Sequence, residues 1–225
     1  YDRFPTNPAL AYVNVFPAAN TFGTLAFEDL WPGEGDYDMN DLVLDYQYRV
    51  FGNAQNQAVY MDGDFAIRAI GGTIRSGFAF QMPLAASQIG SITGQRFNEN
   101  YFVRSANRTE TGVTQAVVAV FDNAHCISPL PAPYFLNTER ETAFRTPDTV
   151  KIRVNFVNGV GMNAIGTAPF NPFIVVNRNQ NGTINWSRDR EIHLPGYAAT
   201  SKANTSLFGT SGDDTRPGSN KWYKT

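Results

Sequence analysis

Leu42-Val43-Leu44-Asp45-Tyr46-Gln47-Tyr48-Arg49-Val50 is the stretch that decides the fold. Leu42, Leu44, Tyr46, Tyr48 and Val50 fall on one side of an extended chain. Val43, Asp45, Gln47 and Arg49 fall on the other. A period of two with one wet face is the mark of a strand in an antiparallel sheet. Val150–Val157 repeats the pattern, with Val150, Ile152, Val154 and Phe156 against Lys151, Arg153 and Asn155. Working outward, β-branched and aromatic residues predict further strands at Tyr12–Phe16, Thr24–Phe27, Ala58–Ile70, Thr73–Met82, Tyr101–Arg104, Gln115–Phe121, Phe173–Asn177 and Glu191–Leu194. Gly52-Asn53, Asp62-Gly63, Gly71-Gly72, Asn158-Gly159 and Asn181-Gly182 supply hairpin or bulge chemistry between them. Asp62-Gly63-Asp64 reads as a bulge or tight hairpin interrupting its strand. Helical signals are confined to a turn or two near Ala85–Ile89 and Thr138–Ala143. The expected architecture is all-β: an antiparallel β-sandwich, with jelly-roll connectivity open to it, long loops and little helix.

With 225 residues, no repeat and no linker, the chain suits one domain over 1–225, in which 1–23 are a lead-in strand. The single cysteine, Cys126, forbids an intrachain disulfide and every multi-cysteine metal site. It reads as a buried apolar thiol. No apolar run approaches the ~20 residues of a membrane-spanning helix.

Charge is distributed unevenly. The chain carries 18 Lys+Arg against 20 Asp+Glu, a formal charge of −2. Seven of the acids lie between Glu28 and Asp45 (Glu28, Asp29, Glu34, Asp36, Asp38, Asp41, Asp45) with no Lys or Arg among them, and the rest of the chain is at +5. The basic residues are scattered, so the footprint of a nucleic-acid binder is missing. At an effective dielectric near 20, two carboxylates about 4 Å apart repel by on the order of 4 kcal/mol, which a bound cation relieves.

The spacing suits such a cation. Asp36, Asp38 and Asn40 stand at i, i+2 and i+4, and short oxygen side chains so spaced can turn to one centre. Ca²⁺ takes six to eight oxygens, whereas Mg²⁺ keeps one or two carboxylates and several waters. The segment is not an EF-hand: Asp41 stands where the hand needs Gly, Gln47 where it needs Glu, and a strand follows where it needs a helix. Glu28 and Asp29 are the nearest supply of further ligands, Gly33 and Gly35 let the loop fold back to them, and Asp41 can ligate or cap. The expected metal set is therefore Glu28, Asp29, Asp36, Asp38, Asn40 and Asp41. The plainer alternative is a solvated acidic loop making Asx-turns.

Phe27-Glu28-Asp29-Leu30-Trp31-Pro32, then Gly35-Asp36-Tyr37-Asp38 and Asn40-Asp41-Leu42-Val43, resemble the signature of the LruC-domain family. So do Ala168-Pro169-Phe170-Asn171-Pro172-Phe173, Arg190-Glu191-Ile192-His193-Leu194-Pro195-Gly196-Tyr197, Leu207-Phe208-Gly209-Thr210 with Asp213-Asp214, and Tyr223-Lys224-Thr225. The resemblance covers roughly Thr24 to the C-terminus. It implies an extracytoplasmic β-domain of an exported or cell-envelope Gram-negative protein, with a calcium loop and no established activity. It also implies a further apolar segment beyond Thr225.

Other constellations carry less. His125 and His193 cannot form a three-histidine site, and His193 reads as a structural hydrogen-bonding residue. No Gly-x-Ser-x-Gly elbow presents a nucleophile. Trp31, Trp186 and Trp222 sit beside turns, where rings can stack on sugars but more often pack under loops. Asp213-Asp214 reads as a plain turn, and Gly71-Gly72 offers no phosphate loop. The expected function is a non-catalytic calcium-binding module for adhesion or for a glycan or surface-protein ligand. The rival is a carbohydrate-active enzyme with structural calcium, using Glu28, Asp29 or His193 as acid or base.

Overall fold

Alternation becomes structure as the pattern requires. In a computed structural model, which describes residues 3–129, 135–177 and 186–216, the stretch from Leu42 forms a long strand whose core-side residues Leu42, Leu44, Tyr48 and Val50 are fully buried. The Asn181-Gly182 turn, Trp222 and the Tyr223-Lys224-Thr225 motif lie outside the described residues.

The strands are β1 (Tyr12–Phe16), β2 (Gly23–Phe27), β3 (Leu42–Gly52), β4 (Gln57–Ala69), β5 (Ser76–Gln81), β6 (Ile89–Thr93), β7 (Val117–Phe121), β8 (Asp148–Gly161), β9 (Asn171–Val176) and β10 (Glu191–His193). They form two antiparallel sheets packed as a sandwich. One runs β1-β3-β4-β8-β6, with β2 also on β3; the other runs β10-β9-β5-β7. β1 and β2 share one edge of β3 end to end, β1 pairing with residues 48–52 and β2 with 42–46. From β4 to β9 every connection crosses between the sheets. Among the described residues, helix is limited to one α-turn, α1 (Ala124–Ile127), and two 3-10 turns, Ala86–Gln88 and Met162–Ala164.

Between the sheets lies the main core. Tyr48 meets Phe65, Phe80 and Phe170 edge-on, with ring centroids 5.1–5.5 Å apart. The first sheet keeps its other face wet. There Arg49 pairs with Asp64 at 2.9 Å, Arg153 with Asp62 at 2.7 Å and Arg68 with Asp45 at 3.3 Å. The second sheet is covered on both faces. Ala79, Val117, Ala119, Phe173 and Val175 point away from the main core into a second apolar cluster, closed by Phe102 and flanked by Phe97, Tyr101 and Val113.

Several expectations need correction. Asp62-Gly63-Asp64 does not interrupt a strand. It lies mid-β4 in unbroken register with Tyr48 and Ile152. Gly63 faces the core, where a Cβ would lie 2.9 Å from the Phe65 ring, and its two flanking acids pair with arginines on neighbouring strands. Tyr101–Arg104 is not a strand, because its aromatic residues serve as cover for the second sheet; only Arg104 makes a bridge, to Glu110. Thr138–Ala143 makes turns and no helix. Asn158-Gly159, by contrast, takes the bulge form expected of it, within β8 and with φ of 54° and 73°. Cys126 is exposed on α1. Its thiol is raised above the ordinary value, first by partial desolvation and then by the charge of Glu99, so it gains no nucleophilic character.

Candidate metal centre

The acidic segment connects β2 to β3. These strands pair, Phe27 opposite Leu42, so both ends of the connection start from one point. Glu28 and Asp29 follow directly from β2 and Asp41 leads directly into β3. Backbone geometry therefore returns Asp41 to the start of the loop, where its Oδ2 accepts the Asp29 N–H at 2.7 Å. Between them, Tyr37 and Met39 adopt left-handed φ of 63° and 56°. These alternate with Asp36, Asp38 and Asn40, and the chain coils tightly enough to bring acids back over Glu28.

Two groups of carboxylates result. Glu28, Asp29 and Asp41 form one; Glu28, Asp36 and Asp38 form the other; within each, oxygens lie within 4.8 Å of one another. Glu28 belongs to both. Asn40 is placed differently: its side-chain amide donates to Asp38, its backbone carbonyl accepts from Gly71 at 2.9 Å, and its side-chain oxygen lies against Gly71. The arrangement thus brings the five expected acids together around Glu28, and Asn40 adjoins them through its bond to Asp38.

Burial and charge make this an uncomfortable place for carboxylates. Glu28 is 3% exposed and Asp29 5%, whereas Asp36 and Asp38 reach solvent. The Glu28 carboxyl is pushed up to about 8, first by desolvation, then by Asp41 and the charge of Asp36, with a backbone bond from Met39 opposing. Asp41 is raised too, again chiefly by desolvation. Glu28 Oε2 is buried and has no hydrogen-bond partner. An orphaned buried carboxylate oxygen costs at least 1–3 kcal/mol, more when charged. The donor set is hard oxygen throughout, partly buried and partly open, and it fits Ca²⁺.

Gly71 and Gly72, between β4 and β5, form the back of this site. A Cβ on Gly72 would lie 2.6 Å from Asp29 Oδ2 and 2.7 Å from Asp41 Oδ1. Gly71-Gly72, expected as hairpin or bulge chemistry, joins strands of different sheets and backs the acidic loop. Two adjacent glycines opposite an acidic loop were the available signal. Gly35 plays the part expected of it: a Cβ there would meet Glu28 Oε1 at 2.5 Å.

Residues after β9 frame the other side. Arg190 Nη2 donates to the Leu30 carbonyl at 2.9 Å, the Asp214 N–H to the Pro32 carbonyl at 2.9 Å, and Trp31 packs on Phe208 at 5.3 Å. Asp213 stays out of the acidic groups. Its carboxylate accepts from the backbone of Gly209 and Thr215, the turn role expected of it. His193 is structural as well, with Nε2 2.8 Å from Glu191 and Nδ1 2.7 Å from Asn171 Oδ1, stacked on Phe173. Trp186 stacks on Tyr101.

A cleft opens where the β2 edge of one sheet faces the β10 edge of the other. It has a volume of about 360 Å³ and is walled by Phe27, Glu28, Trp31, Met39, Ile192 and Tyr197. A smaller cavity of about 170 Å³ adjoins it and shares Trp31, His193 and Tyr197.

No curated protein matches the sequence. Among solved structures, the chain resembles a Bacteroides ovatus protein described as a "putative lipoprotein", with TM-score 0.51 and 16% identity, over 84% of this chain and 56% of that one. The chain therefore spans little more than half of that protein, and the likeness is one of fold. No helix among the described residues is long and apolar enough to cross a membrane. A family model matches residues 56–225, beginning after the acidic segment and covering well over half of the chain, and by that match the protein belongs to the family of the domain of unknown function DUF4842.

Proposed function

We propose that the protein is a non-catalytic, calcium-binding β-sandwich module of an exported or cell-surface bacterial protein, serving adhesion or ligand binding. One observation carries the calcium reading: Glu28, 3% exposed, has an oxygen with no hydrogen-bond partner in the midst of four aspartates. Glu28, Asp29, Asp36, Asp38 and Asp41 would hold the ion, with Asn40 bracing Asp38. The ion would supply charge neutralisation and a staple across the β2–β3 connection, not chemistry on a substrate. The LruC-domain resemblance and the lipoprotein description of the structural neighbour support an extracytoplasmic setting, where millimolar calcium suits a partly open site.

The rival reading, a carbohydrate-active enzyme, has the raised Glu28 in a cleft in its favour. Five carboxylates crowd around one buried, unpartnered oxygen, however, where a glycosidase needs a pair flanking a bond, and such crowding is the habit of groups sharing an ion. His193, the other acid–base candidate, has both ring nitrogens engaged. Calorimetric titration with calcium tests the site, and a polysaccharide-hydrolysis screen in calcium tests the rival. Heat-silent titration with no shift in melting would overturn the calcium reading, and turnover of any glycan would overturn the non-catalytic one.

A further inference from the structure

The metal-bearing loop and the cleft beside it share a wall. Glu28 and Met39 belong to the acidic loop and line the cleft, whose remaining surface is mostly apolar. Trp31 and Tyr197 border both the cleft and its smaller neighbour, and Tyr197 and Met39 are 39% and 42% exposed. Together the two spaces reach the size range of small-molecule sites.

We propose that this cleft binds a saccharide, one pyranose ring stacking on Tyr197 and Trp31 while two neighbouring hydroxyls ligate that same acidic-loop cation on its solvent side, beside Asp36 and Asp38. It rests on the calcium reading above and adds a ligand to it. Three features select this occupant. Asp36 and Asp38 are exposed, so an ion on them keeps coordination positions open to solvent. Glu28, whose buried oxygen lacks a partner, is also a wall residue of the cleft, so an ion held on it lies beside the cleft and not out on the loop. Five carboxylates around one divalent ion leave the site net negative, which disfavours phosphate and carboxylate ligands. A neutral polyol has hydroxyl oxygens for the metal and an apolar ring face for the aromatics. Binding here forms no covalent bond; hydroxyls replace waters on the ion.

The test uses the full chain in calcium on columns of immobilised mannose, galactose, N-acetylglucosamine and rhamnose, which cover axial and equatorial neighbouring hydroxyls, beside a random-peptide column. The expected result is retention on at least one sugar, elution by EDTA, and roughly tenfold weaker retention of Tyr197→Ala with unchanged calorimetric calcium affinity. Trp31→Ala should act alike, but it also loses Phe208, so the exposed Tyr197 decides. Calcium binding without retention on any sugar overturns the saccharide and leaves the metal site standing. Sugar retention that survives EDTA, or that Tyr197→Ala does not weaken, overturns the geometry. Retention on peptide alone reassigns the cleft to a protein partner. Failure to bind calcium at all removes the metal reading and this inference with it.

Discussion

Glu28 concentrates the problem that the acidic segment sets. It is carried into the interior by β2, yet it faces Asp29, Asp36, Asp38 and Asp41 with an oxygen left over. Calcium should therefore raise the melting temperature, by the equivalent of about 2.7 kcal/mol at a hundredfold excess over Kd. An Asp36→Ala/Asp38→Ala double variant should lose that rise; scanning calorimetry of both proteins with and without calcium reads it, and equal responses would place the ligands elsewhere. Gly72→Ala should also weaken calcium binding, because its methyl would press on Asp29 and Asp41, while leaving the circular dichroism of the sheets unchanged. Unaltered calcium affinity in that variant would mean that the carboxylates swing aside freely. At this scale the sequence located the acids that gather around Glu28 and was silent about their backing. Spacing identifies Asp36 and Asp38, whereas Gly72 matters only through a contact 31 residues from Asp41, which no local pattern encodes.

Among the elements, short β10 shows how edge structure is held without many strand bonds. Its Glu191 accepts from Thr200, Arg188 and His193; Arg188 in turn grips Glu110 through two bonds of 2.7 and 2.8 Å and lies over Phe102 and Phe173. Burial alone would raise the Glu191 carboxyl, but His193, Arg188 and Thr200 outweigh it and hold it at about 2. The sign follows from the depressed value. This contribution is complete above the unfolded value of 4.5 and disappears as pH falls towards 2, amounting to roughly 3 kcal/mol. Acid unfolding followed by tryptophan fluorescence should show that loss, and Glu191→Gln should flatten it. Arg188→Ala should cost about 3 kcal/mol at neutral pH, since it takes the guanidinium from two buried carboxylates and leaves Glu110 with Lys202 and Glu191 with His193 and Thr200. Strand identity was legible where one face is wet, as in β3 and β8. Tyr101–Arg104 misled because aromatic residues fit a sheet and a sheet's lid equally well, and only tertiary placement separates the two.

The whole molecule separates its charges. Seven of its 20 acids gather between Glu28 and Asp45, while Arg49, Arg68, Arg153 and Arg188 pair with Asp64, Asp45, Asp62, Glu110 and Glu191. With little clustered cation to release counterions, the protein should flow through DNA and RNA columns in calcium at low salt. Retention surviving to about 150 mM salt would contradict this. The sandwich followed from alternating strands and turn residues, but the second apolar cluster did not. Continuous apolar runs such as Val117–Phe121 and Pro172–Val176 announce strands buried on both faces, without saying what covers the second face. The cover comes from the 94–116 connection, whose irregular backbone gives no periodic signal.

That double cover fixes a hierarchy in time. β5 has β9 on one side, β7 on the other, and apolar packing above and below; every one of its six residues is buried. Its amide protons have no route to water short of disassembling the entire domain, whereas those of β10, at an edge, can exchange by fraying. In deuterium, Phe78, Ala79 and Phe80 should keep their protons longest, and their loss rate should follow global unfolding free energy as denaturant is varied. Calcium bound at the β2–β3 connection, which Gly72 backs just before β5 begins, should slow that loss as well, so these three amides act as a slow clock for the ion's effect on the whole fold.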